Sequence, residues 1–424
     1  MDEIGEKSNG TTVTNETMKR ESILKQAREN IEKKRSTSLT AEGLKPNTEY
    51  DFRSFPVGTS VRAMVLVGSE RLKELYPSEA ENVGKIYEGL GDEDYRSRYL
   101  SAVHERFAAL VPEEPLLWES TSRLGEEDYK FADEAVNRLR VQEGGLEGVQ
   151  GHCVLWAKRA HLPEYLRGAD KQQVVKELYE RRLGIIKRYP EVKRWVLVNE
   201  PLQHTPRVVN GVDRNELVLK PEKDIDTYVE LFKKAKEDNP DTTFIVNEYN
   251  VLSGEKVDEY ADFIRELIAR GASIGGIGVQ GHVGSPDSYS VERVQESLEK
   301  LGRLGLPIIV TEFDVPAKAF EDENGRAKYV KDILTLFYGN RYVEEVYIWG
   351  IQDKTHWRGK EGAGFYDENF NSNEVGVALE QRQEDWTTKT TATTDSEGKA
   401  MIVGFPGIYR VTDRASGKFF PKII

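Results

Sequence analysis

The stretch "WVLVNEPLQH", Trp195–His204, runs from four mostly apolar residues straight into an amide and a carboxylate. A run this short and β-branched reads as a buried strand, and Pro201 removes the next ladder donor, so the strand must end at Glu200. Glu200 is therefore expected at a C-terminal tip, bordering the interior without being sunk in it. The pattern recurs along the chain. Comparable runs are "GTSVRAMV" (58–65), "ALVPEE" (109–114), "GVQGHCVLW" (148–156), "TFIVNEY" (243–249), "GIGVQGH" (276–282), "PIIVTEFDV" (307–315) and "VYIWGI" (346–351), which makes eight in all.

Helical patterns fill the intervals. Val175, Leu178, Tyr179 and Ile186 recur at three or four residues, as do Ile225, Val229 and Phe232, then Tyr260, Phe263, Ile264 and Leu267, then Val291, Val294, Leu298 and Leu301, then Ile333, Leu334 and Phe337. Gly271 and Gly305 stand where C-terminal stops belong. Eight alternations, each with a crossover long enough to return a parallel strand, predict a (β/α)8 TIM barrel rather than an open doubly wound sheet. A dinucleotide-binding sheet would need a glycine-rich phosphate turn after its first strand, and "GTSVRAMVLVGSE" has none.

The flanks differ in texture. Residues 1–16 are polar, carry glycosylation-type triplets at Asn9 and Asn15, and read as a flexible leader. Residues 17–55 hold a helix from near Thr17, with Ile23, Leu24, Ala27 and Ile31 on one face, followed by a short β flank. The barrel is expected over 56–385. Residues 386–424 are threonine-rich with turn signals at "DSEG", "FPG" and "ASGK", so they read as a small β-appendage able to pair with the N-terminal flank. A capping role suits both better than sugar binding.

The chain has 424 residues and a net charge of −13, which argues against nucleic acid and for a neutral partner. Its one cysteine, Cys153, rules out an internal disulfide framework and a cysteine-based zinc site. No run of about 20 apolar residues suggests a membrane span. A monomer is expected. So is action outside the cell, any signal segment having been removed before this numbering, with a cytoplasmic location as the alternative.

In a barrel the last residues of each strand face the active site. Here they are Glu113; His152; Asn199 and Glu200; Asn247 and Glu248; Gln280 and His282; Glu312 and Asp314; then Trp349 and Trp357. A single strand-end carboxylate is more often a helix cap or an ion-pair partner than a catalyst. A ring of polar tips is harder to dismiss, because burying each costs free energy unless it is paired or used. Two carboxylates facing one cavity suggest glycosidic bond hydrolysis, and Glu200 and Glu312, on the fourth and seventh strands, are the best pair. A gap of about 5 to 5.5 Å would retain anomeric configuration, and about 6.5 to 9.5 Å would invert it. Asn199 can donate to a sugar 2-hydroxyl, His282 can hold the second oxygen of Glu312, and Trp349 and Trp357 offer faces for sugar rings; Trp195 reads as core.

The motifs "GHCVLW", "VNEPL", "VNEYN", "VQGH", "TEFD" and "IWGIQDKTHW" resemble, in order, the strand-end motifs of glycoside hydrolase family 10, the endo-β-1,4-xylanases, over roughly residues 56 to 385. The resemblance implies a retaining mechanism with Glu200 as acid and base and Glu312 as nucleophile. It also implies sugar contacts from Glu113, His152, Trp156, Asn199, Gln280, His282, Trp349 and Trp357, with Tyr249 and Asn250 placed like the family's Tyr and Asn after the fifth strand. No cofactor or metal is expected. The partner would be xylan or a related β-linked glycan.

One stretch departs from the family. In "VPEEPLLWES" Glu114 stands where an Asn is usual and Leu117 where a Lys is usual, and both lost residues normally donate to sugar hydroxyls. A different substrate or weak turnover is the expected consequence. Lys158, in place of a more usual His, is expected to matter less. The rival readings are a non-catalytic polysaccharide-binding barrel and a hydrolase of another β-glucan. A metal-dependent hydrolase would need more ligands than His152 and His282.

Overall fold

The computed structural model describes residues 7–77, 93–123, 125–140, 148–209 and 212–424. Eight parallel strands form its centre: β1 (Gly58–Val61), β2 (Leu110–Pro112), β3 (Gln150–Trp156), β4 (Arg194–Asn199), β5 (Thr243–Glu248), β6 (Gly276–Val279), β7 (Ile308–Phe313) and β8 (Val343–Ile348). They pair in the order β2-β1-β8-β7-β6-β5-β4-β3. A parallel bridge between Leu110 and Val149, just ahead of β3, closes the ring. This is the expected (β/α)8 barrel. The first run is shorter than its sequence suggested: β1 stops at Val61 and a helix starts at Ala63, whose N–H donates to the Glu114 carboxylate at 3.0 Å.

Side chains sort into two layers. Ala109, Val111, Cys153, Val196, Ile245, Ile309 and Tyr347 fill the barrel interior, while residues such as Trp195, Leu197 and Val198 pack outward against the helices. Trp195 is fully buried, and Gly151 leaves room for it, since a Cβ there would lie 2.2 Å from the indole. Register shifts interrupt the ladders within β3, between β4 and β5, and twice along β7, so the tips that carry polar groups are re-aimed where regular pleating ends.

The N-terminal helix spans Lys7–Arg35, ten residues longer than expected, so residues 7–16 are helical rather than part of a flexible leader. Residues 1–6 lie outside the described residues. Leu24, Ala27 and Ile31 are its buried contacts, and Lys34 donates to the carbonyls of Tyr338 and Asn340 at the end of helix Glu323–Gly339. The last barrel helix is Glu374–Trp386.

The appendage is built from both flanks. Strand Glu49–Phe55 lies between Lys389–Thr393 and Ile408–Asp413, Phe419–Ile423 completes a four-stranded antiparallel sheet, and Thr37–Ala41 pairs with Ala400–Gly404. Tyr50, Phe52, Tyr409 and Val411 pack on Ala41 and Ile402 between these layers. Ile408 reaches the interior cluster of the barrel, and its neighbours Pro406 and Gly407 lie against Gly58, Glu345 and Tyr347. The appendage thus closes the end where the strands begin, opposite the polar tips.

Candidate active site

Glu200 follows β4 with φ +49°, a left-handed conformation that costs a non-glycine residue on the order of 1–2 kcal/mol. It is held there by its N–H, which donates to the Asn247 carbonyl at 2.8 Å. The turn brings its carboxylate to two donors, Lys158 Nζ at 2.5 Å and Gln280 Nε2 at 2.9 Å. Burial pushes this carboxyl up, but the Lys158 ammonium and the two hydrogen bonds outweigh it and hold the group below the ordinary value. Lys158, expected to matter less than Leu117, is the residue that touches the predicted acid. Its side chain is only 4% exposed and its ammonium sits 4.8 Å from the Tyr249 ring centre.

Glu312, within β7, has different company. Its Oε1 accepts from Asn247 Nδ2 at 2.8 Å and its Oε2 lies 3.2 Å from His282 Nε2. The other ring nitrogen of His282 is 2.8 Å from Asp314. Burial alone would lower the His282 pKa, yet Asp314 and Glu312 raise it to about 10, so the ring is an imidazolium at neutral pH. Asp314 is fully buried and also accepts from Trp357 Nε1 at 2.9 Å and from Arg358 at 2.7 Å. Burial works against its charge, and His282, His356 and Arg358 overcome that, keeping it below the usual range.

Asn247 joins the two halves. Its amide nitrogen donates to Asn199 Oδ1 at 2.9 Å as well as to Glu312, and its oxygen accepts from Thr311 at 2.6 Å. Since Asn199 uses its carbonyl oxygen here, its NH2 is the group it has to offer a ligand. Sequence reasoning placed Asn247 at a strand tip without giving it a role. Its neighbour Glu248 turns the other way, accepting from Leu202 N and Tyr249 N and lying 2.9 Å from His204. Burial nevertheless raises the Glu248 carboxyl.

The aromatic walls are uneven. Trp357 is 58% exposed, whereas Trp349 is 8% exposed and packs edge-on against His152 and His282. One face of Trp156 is covered by His161, stacked at 3.5 Å and 8°. Tyr249 is likewise stacked on His204 at 3.8 Å. His152 is buried, and desolvation lowers its pKa, so it stands as a neutral imidazole beside the tryptophans. Asn250, with φ +58°, is half-buried and donates to Glu255 at 3.0 Å.

The departing second-strand motif is reorganised around Arg62, a residue first read as part of β1. Arg62 pairs with Glu113 at 3.1 Å and with Glu114 at 2.6 Å, and Ser60 donates to Glu113 at 2.8 Å. Burial raises both carboxyls against the pull of Arg62, Glu114 to about 7. Glu114 therefore serves the helix start at Ala63 rather than replacing an asparagine donor. Leu117 packs against the interior cluster, as Trp156 does. The loop is anchored by Arg182, fully buried on a π-helical turn (Leu178–Arg182), which donates to the carbonyls of Leu116, Cys153 and Val154 and to Thr121 Oγ1.

A parallel barrel whose mouth holds two buried glutamates, each with its own hydrogen-bonding partners, defines the class of barrel glycoside hydrolases. The chain belongs to glycosyl hydrolase family 10, whose model matches residues 72–380. Among curated proteins it is 27% identical to the anti-sigma-I factor RsgI6 of Acetivibrio thermocellus, over 76% of this chain and 40% of that protein. It is 27% identical to endo-1,4-beta-xylanase 1 of Arabidopsis thaliana, over 68% of this chain but only 28% of that protein. It is 26% identical to endo-1,4-beta-xylanase A of Caldicellulosiruptor saccharolyticus, over 65% and 84%. The first two relatives are thus spanned over less than half their length. Xylanase 10B of Thermotoga petrophila, solved with xylobiose, shares the fold with a TM-score of 0.60 and 21% identity, over 80% of this chain and 94% of that one.

Proposed function

We propose that the chain cleaves internal β-1,4 linkages of xylan with retention of configuration, Glu312 acting as nucleophile and Glu200 as acid and base. The observation that carries this reading is the asymmetric partnering of the two glutamates. His282 and Asn247 each engage one oxygen of Glu312, which suits a carboxylate that must attack the anomeric carbon and then leave it. Glu200 meets a proton-bearing group, Lys158, and a neutral amide, Gln280, which suits a group that exchanges protons. Asn199, oriented by Asn247, would donate to the 2-hydroxyl as oxocarbenium character develops.

The Arabidopsis, Caldicellulosiruptor and Thermotoga relatives all carry xylanase names, which supports xylan as the polymer. A binding-only barrel has one observation in its favour, the replacement of glycone-side donors by Leu117 and an Arg62-bound Glu114. Reducing-sugar release from xylan, mixed-linkage glucan and carboxymethylcellulose separates the readings. Activity on xylan that Glu200→Gln and Glu312→Gln both abolish is the expected result; xylan binding without turnover would leave the binding reading standing, and activity only on another glucan would move the substrate.

A further inference from the structure

We propose that Lys158 is a positioning residue for the proton step: paired with Glu200 at 2.5 Å, it holds that side chain as a carboxylate in the resting site and favours its base role over its acid role. This rests on the hydrolytic reading above.

The pair is built into the fold. Lys158 and Glu200 have side chains 4% and 10% exposed, Lys158 is fixed by an antiparallel bridge to Leu217, and the Tyr249 ring backs its ammonium. A surface ion pair would be screened and mobile, whereas this one has little water to compete with it. The other titratable groups that interact with Glu200 are His152 and Cys153 on β3, His161 after it, and Glu248 and Tyr249 at the end of β5. Among the described residues, only Lys158 and Gln280 bond to its side chain.

The two half-reactions ask opposite things of this carboxyl. In the first, Glu312 forms a bond to the anomeric carbon, the glycosidic C–O bond breaks, and its electron pair goes to the leaving oxygen, which needs a proton from Glu200. A Glu200 carboxylate must first be protonated from solvent. In the second, water attacks the anomeric carbon, the bond to Glu312 breaks, and the water proton passes to Glu200; here a resting carboxylate is already the base. Leaving groups that depart as stable phenolates bypass the first demand.

The test compares the full chain with Lys158→Met and Lys158→His on xylohexaose and on 2,4-dinitrophenyl β-xylobioside, from pH 4 to 9. The expected result is that the alkaline limb of kcat/KM on xylohexaose moves up by about one pH unit or more in Lys158→Met. The ratio of xylohexaose to dinitrophenyl turnover at neutral pH should rise about tenfold. An unmoved limb, or equal losses on both substrates with thermal unfolding unchanged, overturns the proposal. Carboxyl-13C titration of Glu200 in the native chain and in Lys158→Met reads the same point without turnover. If neither substrate is cleaved, the hydrolytic reading fails, and this titration alone decides whether Lys158 holds Glu200 ionised.

Discussion

Replacing Asn247 by alanine probes the group on which both halves of the site depend. The substitution deletes three hydrogen bonds at a fully buried position, one to the Glu312 carboxylate at 2.8 Å, one to Asn199 at 2.9 Å and one from Thr311 at 2.6 Å. The charged bond contributes about 1.5–3 kcal/mol and the neutral ones about 1 kcal/mol each, so the summed cost is about 4 kcal/mol. That is a large share of the ~5–15 kcal/mol that stabilises an ordinary domain. Catalysis should suffer separately. Glu312 loses one of its two positioning partners and Asn199 is freed to rotate, and a loss of about 2 kcal/mol of transition-state binding corresponds to roughly 30-fold in kcat/KM. Urea unfolding followed by tryptophan fluorescence and kcat/KM on xylohexaose measure the two effects. Thr311→Val, which removes only the outer donor, should cost about 1 kcal/mol and leave the rate within a few-fold. A loss below about 1 kcal/mol for Asn247→Ala, with a rate change under about threefold, would refute the view that this amide organises the site.

The remaining expectations concern the walls of the cleft. His282 is raised in the folded chain from 6.5 to about 10, so its contribution is fully present below pH 6.5 and is lost as pH rises toward 10. The slope there should approach 1.4 kcal/mol per pH unit, as an upper bound of about one proton, and His282→Gln should flatten it in pH-dependent denaturant melts. Leu117→Lys restores a donor to the second-strand motif and should lower KM on xylan, with kcat/KM up about tenfold, while costing about 1–2 kcal/mol of packing because Leu117 abuts the interior cluster; an unchanged KM would show that the donor is not what this cleft lacks. Arg182→Met leaves the carbonyls of Leu116, Cys153 and Val154 without their donor, and should destabilise by about 3–5 kcal/mol in chemical denaturation. Arg182→Lys should recover only part of that, because one ammonium cannot reproduce the planar fork.

Much of this site is written in the strands. Buried runs ending on Asn199–Glu200, Asn247–Glu248 and Thr311–Glu312 must bring those tips to one mouth once the barrel closes, so their meeting follows from topology. Helix stops were equally visible, as Gly271 and Gly305 take φ of 82° and 78° where an L side chain would be strained. What could not be read depends on loops. Lys158 lies two residues past a strand, and nothing in "WAKRAHLP" tells that its ammonium turns onto Glu200 while His161 folds over Trp156. Arg62 was hidden because Val61 before it and Ala63–Val65 after it read as one apolar run spanning what is in fact a strand end and a helix start. The early start of the N-terminal helix was hidden too, since "SNGTTVTNET" holds few good helix formers.

The appendage's construction from both flanks sets a schedule for biosynthesis. Strand Glu49–Phe55 is central in its sheet, but both of its neighbours, Lys389–Thr393 and Ile408–Asp413, emerge only after the whole barrel has been made. At ~5–20 residues per second, the ribosome leaves that strand with two open edges for tens of seconds. Such edges invite pairing with other chains. The barrel therefore has to assemble with its lower end uncovered, and Ile408, carried on a strand made after the barrel, can latch that end only afterwards.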